Sequence, residues 1–316
     1  MYFPTSGAEV DPWVPPLVAL GISFFTSMGG VSGAVLLLPF QMSFLGSTNP
    51  SVSATNHLFN VVAIPSGVYA YIREGRMAWL LALAVVMGTI PGAFVGALVR
   101  VVCLPDPKHF KLFAALVLLY VGLRLAGGVV PKRRPESAGD QNVFRRIVRR
   151  RDDDTDTPAL GSPGSPVFGK GEFSFRRMGR TFHGRLFGAP VWGIVGLGFA
   201  VGIIGGIYGI GGGAIIAPFL VTVFRLPVRK VAGAALAGTF VTSLVAVFFY
   251  RAIAHFHPDL NVAPDWGLGL LFGVGGMVGM YLGARCQKYV PVSVIKLVLC
   301  GAVLFASLRY GFEFFR

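Results

Sequence analysis

The stretch GIIGGIYGIGGGAIIAPFL, residues 202–220, holds seven glycines and one proline among otherwise apolar residues, and it carries no charge. It is too apolar for a surface loop. It is also too rich in glycine for an uninterrupted helix, where each glycine costs about 1 kcal/mol against alanine. The stretch lies inside an uncharged run from Leu186 to Phe224. As one helix that run would be about 58 Å long, against a hydrocarbon core about 30 Å thick. The run must therefore break, and Gly209 to Gly213 is where helix continuation is least favourable.

The rest of the composition sets the same class. Hydrophobic residues make up 54% of the chain and charged residues 13%, where a soluble domain carries about 25% charge. Mean hydropathy is +0.67, and residues 12–72 also lack Asp, Glu, Lys and Arg. Such runs read as membrane spans, so the expected fold is an all-α polytopic membrane protein. The formal net charge of +14 is concentrated, with thirteen of 28 Lys and Arg between Pro131 and Phe187. A basic cluster beside spans marks the cytoplasmic face and does not call for nucleic acid as a partner.

Residues 131–187 cannot build a core from their Pro, Gly, Ser and Arg content and read as a largely disordered cytoplasmic linker. Within it, NVFRRIVRR and EFSFRRMGRTFHGRLFG have the mixed basic and apolar character of interfacial helices; a solvated orientation signal suits them equally. MYFPTSGAEVDPW lacks a basic n-region, so no cleaved signal peptide is expected and residues 1–13 read as an N-terminal tail. Cys103, Cys286 and Cys300 are scattered as packing residues, and neither a metal site nor a cofactor is expected.

On either side of the linker the sequence repeats itself. TSMGGVSGAVLLLPF from Thr26 aligns with GGIYGIGGGAIIAPF from Gly205, so Gly30, Gly33, Pro39 and Phe40 fall opposite Gly209, Gly212, Pro218 and Phe219. Trp79, Gly88, Gly92 and Gly96 fall opposite Trp266, Gly275, Gly279 and Gly283, and Arg124 falls opposite Arg309. Two repeats, 14–130 and 188–316, are the signature of a two-fold transporter fold. If each broken segment is a re-entrant hairpin, each half crosses three more times: near 52–72, 77–99 and 110–130, then 231–250, 266–284 and 291–311. An odd crossing number makes the repeats inverted. Arg73, Arg76, Arg225, Arg229, Lys230, Arg285 and Lys288 then share the linker's side, a better fit to positive-inside than full crossing gives.

Gly209, Gly211 and Ala214 spell a GxGxxA pattern, but the next acidic residue is Asp259 and no Lys follows the glycines. Dinucleotide and Walker readings both fail on that ground. Non-helical backbone at membrane depth is tolerated only inside protein or lining a cavity. A helix starting near Ala34 or Ala214 offers free N–H groups and a positive dipole end to an anion. The candidate substrate-binding residues at the breaks are Gly30, Ser32, Gly33, Ala34, Gly209, Gly211, Gly212 and Gly213. The stripes in GTIPGAFVG and GVGGMVGMYLG, with small residues four apart, read instead as helix-packing seams.

Polar clusters follow each break. SATNH holds Ser53, Thr55, Asn56 and His57, and GTFVTS holds Thr239, Thr242 and Ser243. Asn56, Thr239 and Ser243 join the candidate set, because amides and hydroxyls replace an oxyanion's water shell without locking it in place. His57 is the only side chain between Asp11 and Arg73 that titrates near neutrality, so it is a candidate for a coupling proton; a hydrogen-bonded packing histidine is the competing reading. Arg124 and Arg309 are candidates for attracting an anion at a vestibule, or for snorkelling to an interface. His255 and His257 with Asp259 resemble a metal cluster only superficially and read as a polar loop outside the membrane; with no catalytic carboxylate or cysteine pair in the sequence, no enzyme is expected.

The paired GGVSGAVLLLPF and GIGGGAIIAPFL segments, with AGTFVTS and the basic middle linker, resemble the sulfite exporter TauE/SafE family. The resemblance covers both halves but not the linker. Ser32 and Ala34 replace glycines in the first half, so the two half-sites differ. The resemblance implies a secondary transporter carrying a small sulfur-containing anion (sulfite, thiosulfate or an organosulfonate) across the bacterial inner membrane. A passive anion channel is the competing class. The expected partners are that anion, protons and membrane lipid.

Overall fold

The computed structural model describes residues 1–28, 31–73, 77–127, 185–186, 189–224, 228–286 and 292–315. The linker readings, including both candidate interfacial helices, lie outside these residues apart from Arg185–Leu186, and so does Gly30. The described chain is nearly all helix: α1 (Val14–Met28), α2 (Ala34–Ser43), α3 (Ser51–Arg73), α4 (Trp79–Val102) and α5 (Pro107–Gly127) in the first half. The second half holds α6 (Val191–Tyr208), α7 (Gly212–Thr222), α8 (Val228–Phe256), α9 (Trp266–Cys286) and α10 (Val292–Phe315). Two two-residue antiparallel pairings complete it: β1 (Tyr2–Phe3) with β2 (Ala8–Glu9), and β3 (Arg185–Leu186) with β4 (Ala189–Pro190).

Among the described residues, α4, α6, α8, α9 and α10 are long and apolar enough to cross a membrane. The expected span over 110–130 forms as α5, and the one over 52–72 forms as α3 but falls outside that set. In α3 the cause is the polar run Ser51, Ser53, Thr55, Asn56, His57 and Asn60, all fully buried. The first helix of the glycine-broken pair, α6, is itself of spanning length, whereas α1 and α2 are short.

The packing is reciprocal between the halves, and glycine sets it. Gly88, Gly92 and Gly96 line one face of α4, and a Cβ on them would lie 2.2, 2.2 and 2.3 Å from the carbonyl oxygens of Val195, Phe199 and Ile203 in α6. On α9, Gly275, Gly279 and Gly283 would meet the carbonyls of Pro16, Leu20 and Phe24 in α1 at 2.0, 2.3 and 2.3 Å. Close backbone approach of this kind replaces the hydrophobic drive that is missing between helices in lipid. Residue numbers rise together along both seams, so α4 runs parallel to α6 and α9 parallel to α1. Thr89 against Thr242 and Gly238 against Val85 make α4 parallel to α8 as well.

Two other pairs run antiparallel. Lys111 meets Glu313, Ser307 donates to the Ala115 carbonyl, and Cys300 donates to the Gly122 carbonyl, which sets α5 against α10. His57 meets Ser243 and Gly67 meets Leu236, which sets α3 against α8. All four tryptophans are exposed and sit at helix starts: Trp13 before α1, Trp79 in α4, Trp192 in α6 and Trp266 in α9. The helix directions put Trp13 with Trp266 at one end of the bundle and Trp79 with Trp192 at the other. Amphipathic rings favour both membrane interfaces, and large apolar side chains such as Leu116, Phe199, Val278 and Phe305 stand exposed between them.

Residues 1–13, expected as a tail, are tied into the bundle. Phe3 is buried against Gly267. Asp265 accepts from the Ser6 N–H and hydroxyl at 3.2 and 3.0 Å, and its other oxygen caps α9 by accepting the Leu268 N–H at 3.0 Å.

Candidate functional site

The second-half break falls where the glycines demand it. Helix α6 ends at Tyr208, Gly209 and Gly211 take φ of 85° and 72°, and α7 starts at Gly212. Only glycine adopts such backbone without strain. The chain then turns back on itself: a Cβ on Gly205 would meet the backbone of Gly211 and Gly212, and one on Gly212 would lie 3.5 Å from the Gly202 Cα. In the first half, a Cβ on Gly33 would lie 3.5 Å from the Ser23 Cα, so α2 also folds back on α1.

The two breaks converge on α3 and α8. Asn60 holds both: its carbonyl oxygen accepts from the Ser32 hydroxyl at 2.7 Å, and its amide nitrogen donates to the carbonyls of Gly209 and Ile210 at 3.3 and 3.0 Å. Asn56 donates to the Ala34 carbonyl at 2.9 Å, and Tyr208 donates to the Val35 carbonyl at 2.9 Å. The last carbonyls of α6 are also occupied, Gly206 by the Tyr250 hydroxyl at 2.9 Å and Ile207 by Ser53 at 2.8 Å. Irregular backbone deep in a membrane protein needs such a complete set of partners.

The donors are treated differently. Gly211 precedes α7 and supplies no capping side chain. Among the described residues, no acceptor receives the N–H of Gly212 or Gly213. Around them stand threonine and serine side chains from α4 and α8. A Cβ on Gly211 would lie 2.7 Å from the Thr239 methyl and 2.9 Å from the Ser243 hydroxyl, one on Gly212 would lie 2.5 Å from the Thr89 methyl, and one on Gly213 would lie 2.3 Å from the Thr239 hydroxyl. Thr89 and Thr242 share a hydroxyl–hydroxyl bond of 2.6 Å, and Thr239 bonds back to the Ala235 carbonyl at 3.0 Å.

A polar chain runs from the breaks into α3. Asn60 donates to the Ser243 Oγ at 3.4 Å, and Ser243 meets His57 Nδ1 at 3.2 Å. With one lone pair accepting from Asn60, the serine keeps both its proton and a second lone pair for Nδ1, so the contact holds in either tautomer and leaves Nε2 as the other ring nitrogen. That nitrogen makes no hydrogen bond. It lies near the Gly206 carbonyl without bonding geometry, and that oxygen already accepts from Tyr250. Asn56 Oδ1 is likewise without a partner. Leaving a buried polar atom unbonded costs about 1–3 kcal/mol, and Asn56, His57, Asn60, Thr242 and Ser243 are all 0% exposed.

Of the expected residues, Ser32, Gly33, Ala34, Asn56, His57, Gly209, Gly211, Gly212, Gly213, Thr239 and Ser243 are brought together here. Arg124 and Arg309 are elsewhere. The Arg124 guanidinium stands 5.8 Å from the Phe219 ring centre, while Arg309 pairs with Glu313 at 3.1 Å beside Lys111. Sequence reasoning passed over Asn60, Tyr208, Tyr250 and Thr89. Asn60 had a legible signal, one helical turn beyond Asn56 and on the same face; the other three reach the site only through the fold.

The chain is similar to proteins that are named as membrane transporters. A "Probable membrane transporter protein YunE" from Bacillus subtilis is 24% identical over 297 residues, covering 90% of this chain and 93% of its own. A "Probable membrane transporter protein" from Xylella fastidiosa is 22% identical over 298 residues, covering 91% and 92%. No solved structure matches the chain. Residues 16–310 match the sulfite exporter TauE/SafE family. Nearly the whole described bundle falls within that match, and this multi-pass membrane protein belongs to the sulfite exporter TauE/SafE family of membrane transporters.

Proposed function

We propose that the chain is a secondary transporter that moves a small sulfur-containing anion (sulfite, thiosulfate or an organosulfonate) across the bacterial inner membrane. The anion sits where the two glycine breaks meet. The observation that carries this reading is an imbalance of partners: the carbonyls at the breaks accept from side chains, while among the described residues the N–H groups of Gly212 and Gly213 find no acceptor and His57 Nε2 makes no hydrogen bond. Unfilled donors at a helix start favour an anion. Ser32, Gly33, Ala34, Asn56, Gly209, Gly211, Thr239 and Ser243 complete the site, and Gly30 belongs to it by its place in the first break. Without basic side chains the grip is weak enough to release its cargo.

The repeats are of inverted topology, each a re-entrant hairpin plus three spans, with the linker cytoplasmic. The antiparallel pairing of α3 with α8 and of α5 with α10 supports inversion, since each pair joins counterparts from the two halves. His57 carries the coupling proton, because protonation would place a charge beside the bound anion. Reconstitution into liposomes tests the whole reading with sulfite, thiosulfate, sulfate and sulfonates, with and without a pH gradient. Saturable flux that accumulates sulfite or a sulfonate uphill on a proton gradient is expected. Non-saturating flux with no accumulation identifies a channel instead.

A further inference from the structure

Arg100, in the last turn of α4, is 0% exposed, and a guanidinium keeps its proton even there. One of its amino groups donates to the Leu104 carbonyl and the other to the Thr48 carbonyl at 3.0 Å. Its central carbon lies 3.7 Å from the Phe110 ring centre. Among the described residues no carboxylate comes within 4.0 Å of it, and its Nε has no partner. Carbonyls at a helix C-terminus offset part of the cost of a buried cation. A full charge without a counter-ion still costs several kcal/mol. Bonding two carbonyls needs only a neutral amide, so the charge itself calls for another explanation.

Its surroundings supply one. Ala97 and Val101, on either side of Arg100 in α4, pack in one cluster with Tyr250 of α8. The Tyr250 ring centre lies 6.0 Å from that of His57. Two nitrogens without partners among the described residues, Arg100 Nε and His57 Nε2, thus belong to side chains grouped around one tyrosine, the first at the Trp13–Trp266 end of the bundle and the second at the glycine breaks. Thr48, which accepts from Arg100, sits in a strap whose Ser47 and Asn49 bond the N-terminal hairpin at the Ser6 and Thr5 carbonyls.

We infer that Arg100 is a capture subsite for a small oxyanion, which it pairs with before the anion passes Tyr250 to the site at the breaks. This rests on the anion-transport reading above. The test measures sulfite flux into proteoliposomes against concentration, supplied at the face opposite the linker, for the wild type, Arg100→Gln and Arg100→Lys. The half-saturating concentration should rise about tenfold in R100Q and less in R100K, with maximal rates within about twofold of wild type. Stabilisation of the purified protein by sulfite against heat should weaken in the same order. A purely structural arginine would lower the melting temperature and leave half-saturation unchanged, and that result overturns the inference. If R100Q does not fold, R100K decides alone, because it keeps the charge and loses the fork. A wild type that carries none of the sulfur anions removes the transport reading and this inference together; a transporting wild type with indifferent variants removes this inference only.

Discussion

The Tyr208 hydroxyl donates to the Val35 carbonyl at 2.9 Å, and it occupies a place that Pro39 leaves empty. Pro39 lies inside α2 four residues after Val35 and has no N–H to complete the helical bond. The last residue of one half's helix therefore repairs the other half's broken segment. Tyr208→Phe should lower stability by about 1–3 kcal/mol, the usual cost of an unpaired buried carbonyl. In a Pro39→Ala background the helix regains its own donor, so Y208F should cost less there. A double-mutant cycle on thermal midpoints in detergent reads this coupling, and strict additivity would count against it.

The glycine seams predict a sharp contrast between sites. A Cβ on Gly92 would lie 2.2 Å from the Phe199 carbonyl, whereas one on Gly196 meets nothing within 4 Å. Gly92→Ala should therefore destabilise by about 2 kcal/mol or more through forced helix separation. Gly196→Ala should be neutral or mildly stabilising. The fraction of protein that remains monodisperse after a heat step measures both. Equal survival of the two would remove the seam argument.

His57 and Ser243 make a functional prediction. His57→Gln should abolish acceleration of flux by a pH gradient while leaving anion exchange at zero gradient measurable. Ser243→Ala breaks the chain between Asn60 and His57 and should impair both, by roughly tenfold for a lost buried hydrogen bond of about 1.5 kcal/mol. Paired flux assays with and without the gradient separate these effects. A gradient response that persists in H57Q would move the coupling proton elsewhere.

Asp265 predicts a local opening. Asp265→Ala removes both the α9 cap and the two bonds to Ser6. Cap loss costs the start of α9 about 0.5–2 kcal/mol, while the lost Ser6 bonds should fall mainly on residues 1–11. Hydrogen exchange of the N-terminal peptide should accelerate well before the helices respond. Unchanged protection would show that Phe3 packing alone secures the hairpin.

Topology gives a fifth, independent check. Cys103 is exposed one residue past α4. With Cys286 and Cys300 replaced, Cys103 should react with an impermeant maleimide from the face opposite the linker, and a cysteine placed in residues 131–187 from the linker's own face. Labelling of both from one face would rule out the inverted arrangement.

Much of the architecture was legible because it rests on local chemistry. The break at Gly209–Gly213 follows from glycine count and membrane thickness, and the seams at Gly88–Gly96 and Gly275–Gly283 follow from four-residue spacing. The polar face of α3 was visible as SATNH, but its extension to Asn60 hides in the apolar run HLFNVVAIP. Tyr208, Tyr250 and Thr89 act on backbone or hydroxyls from other parts of the chain, and such pairings leave no trace in spacing. Arg309 matched Arg124 in the alignment, yet Glu313, one helical turn on, claims it. Substituting Gly212 or Gly33 is a poor probe of substrate contact, since a Cβ there would lie 2.5 Å from Thr89 or 2.7 Å from Ser23.

The exchange of seams between halves also sets an order of events during synthesis. Helix α1 is made first, but the helix its backbone fits, α9, is the last but one to be made. Until then α1 is a short apolar segment without that mate, followed by a broken segment whose Val35 carbonyl awaits Tyr208. Long-range closure of this kind is slow to reward. The newborn first half therefore cannot mature alone, and the chain reaches its final form only when the second half arrives to complete the first.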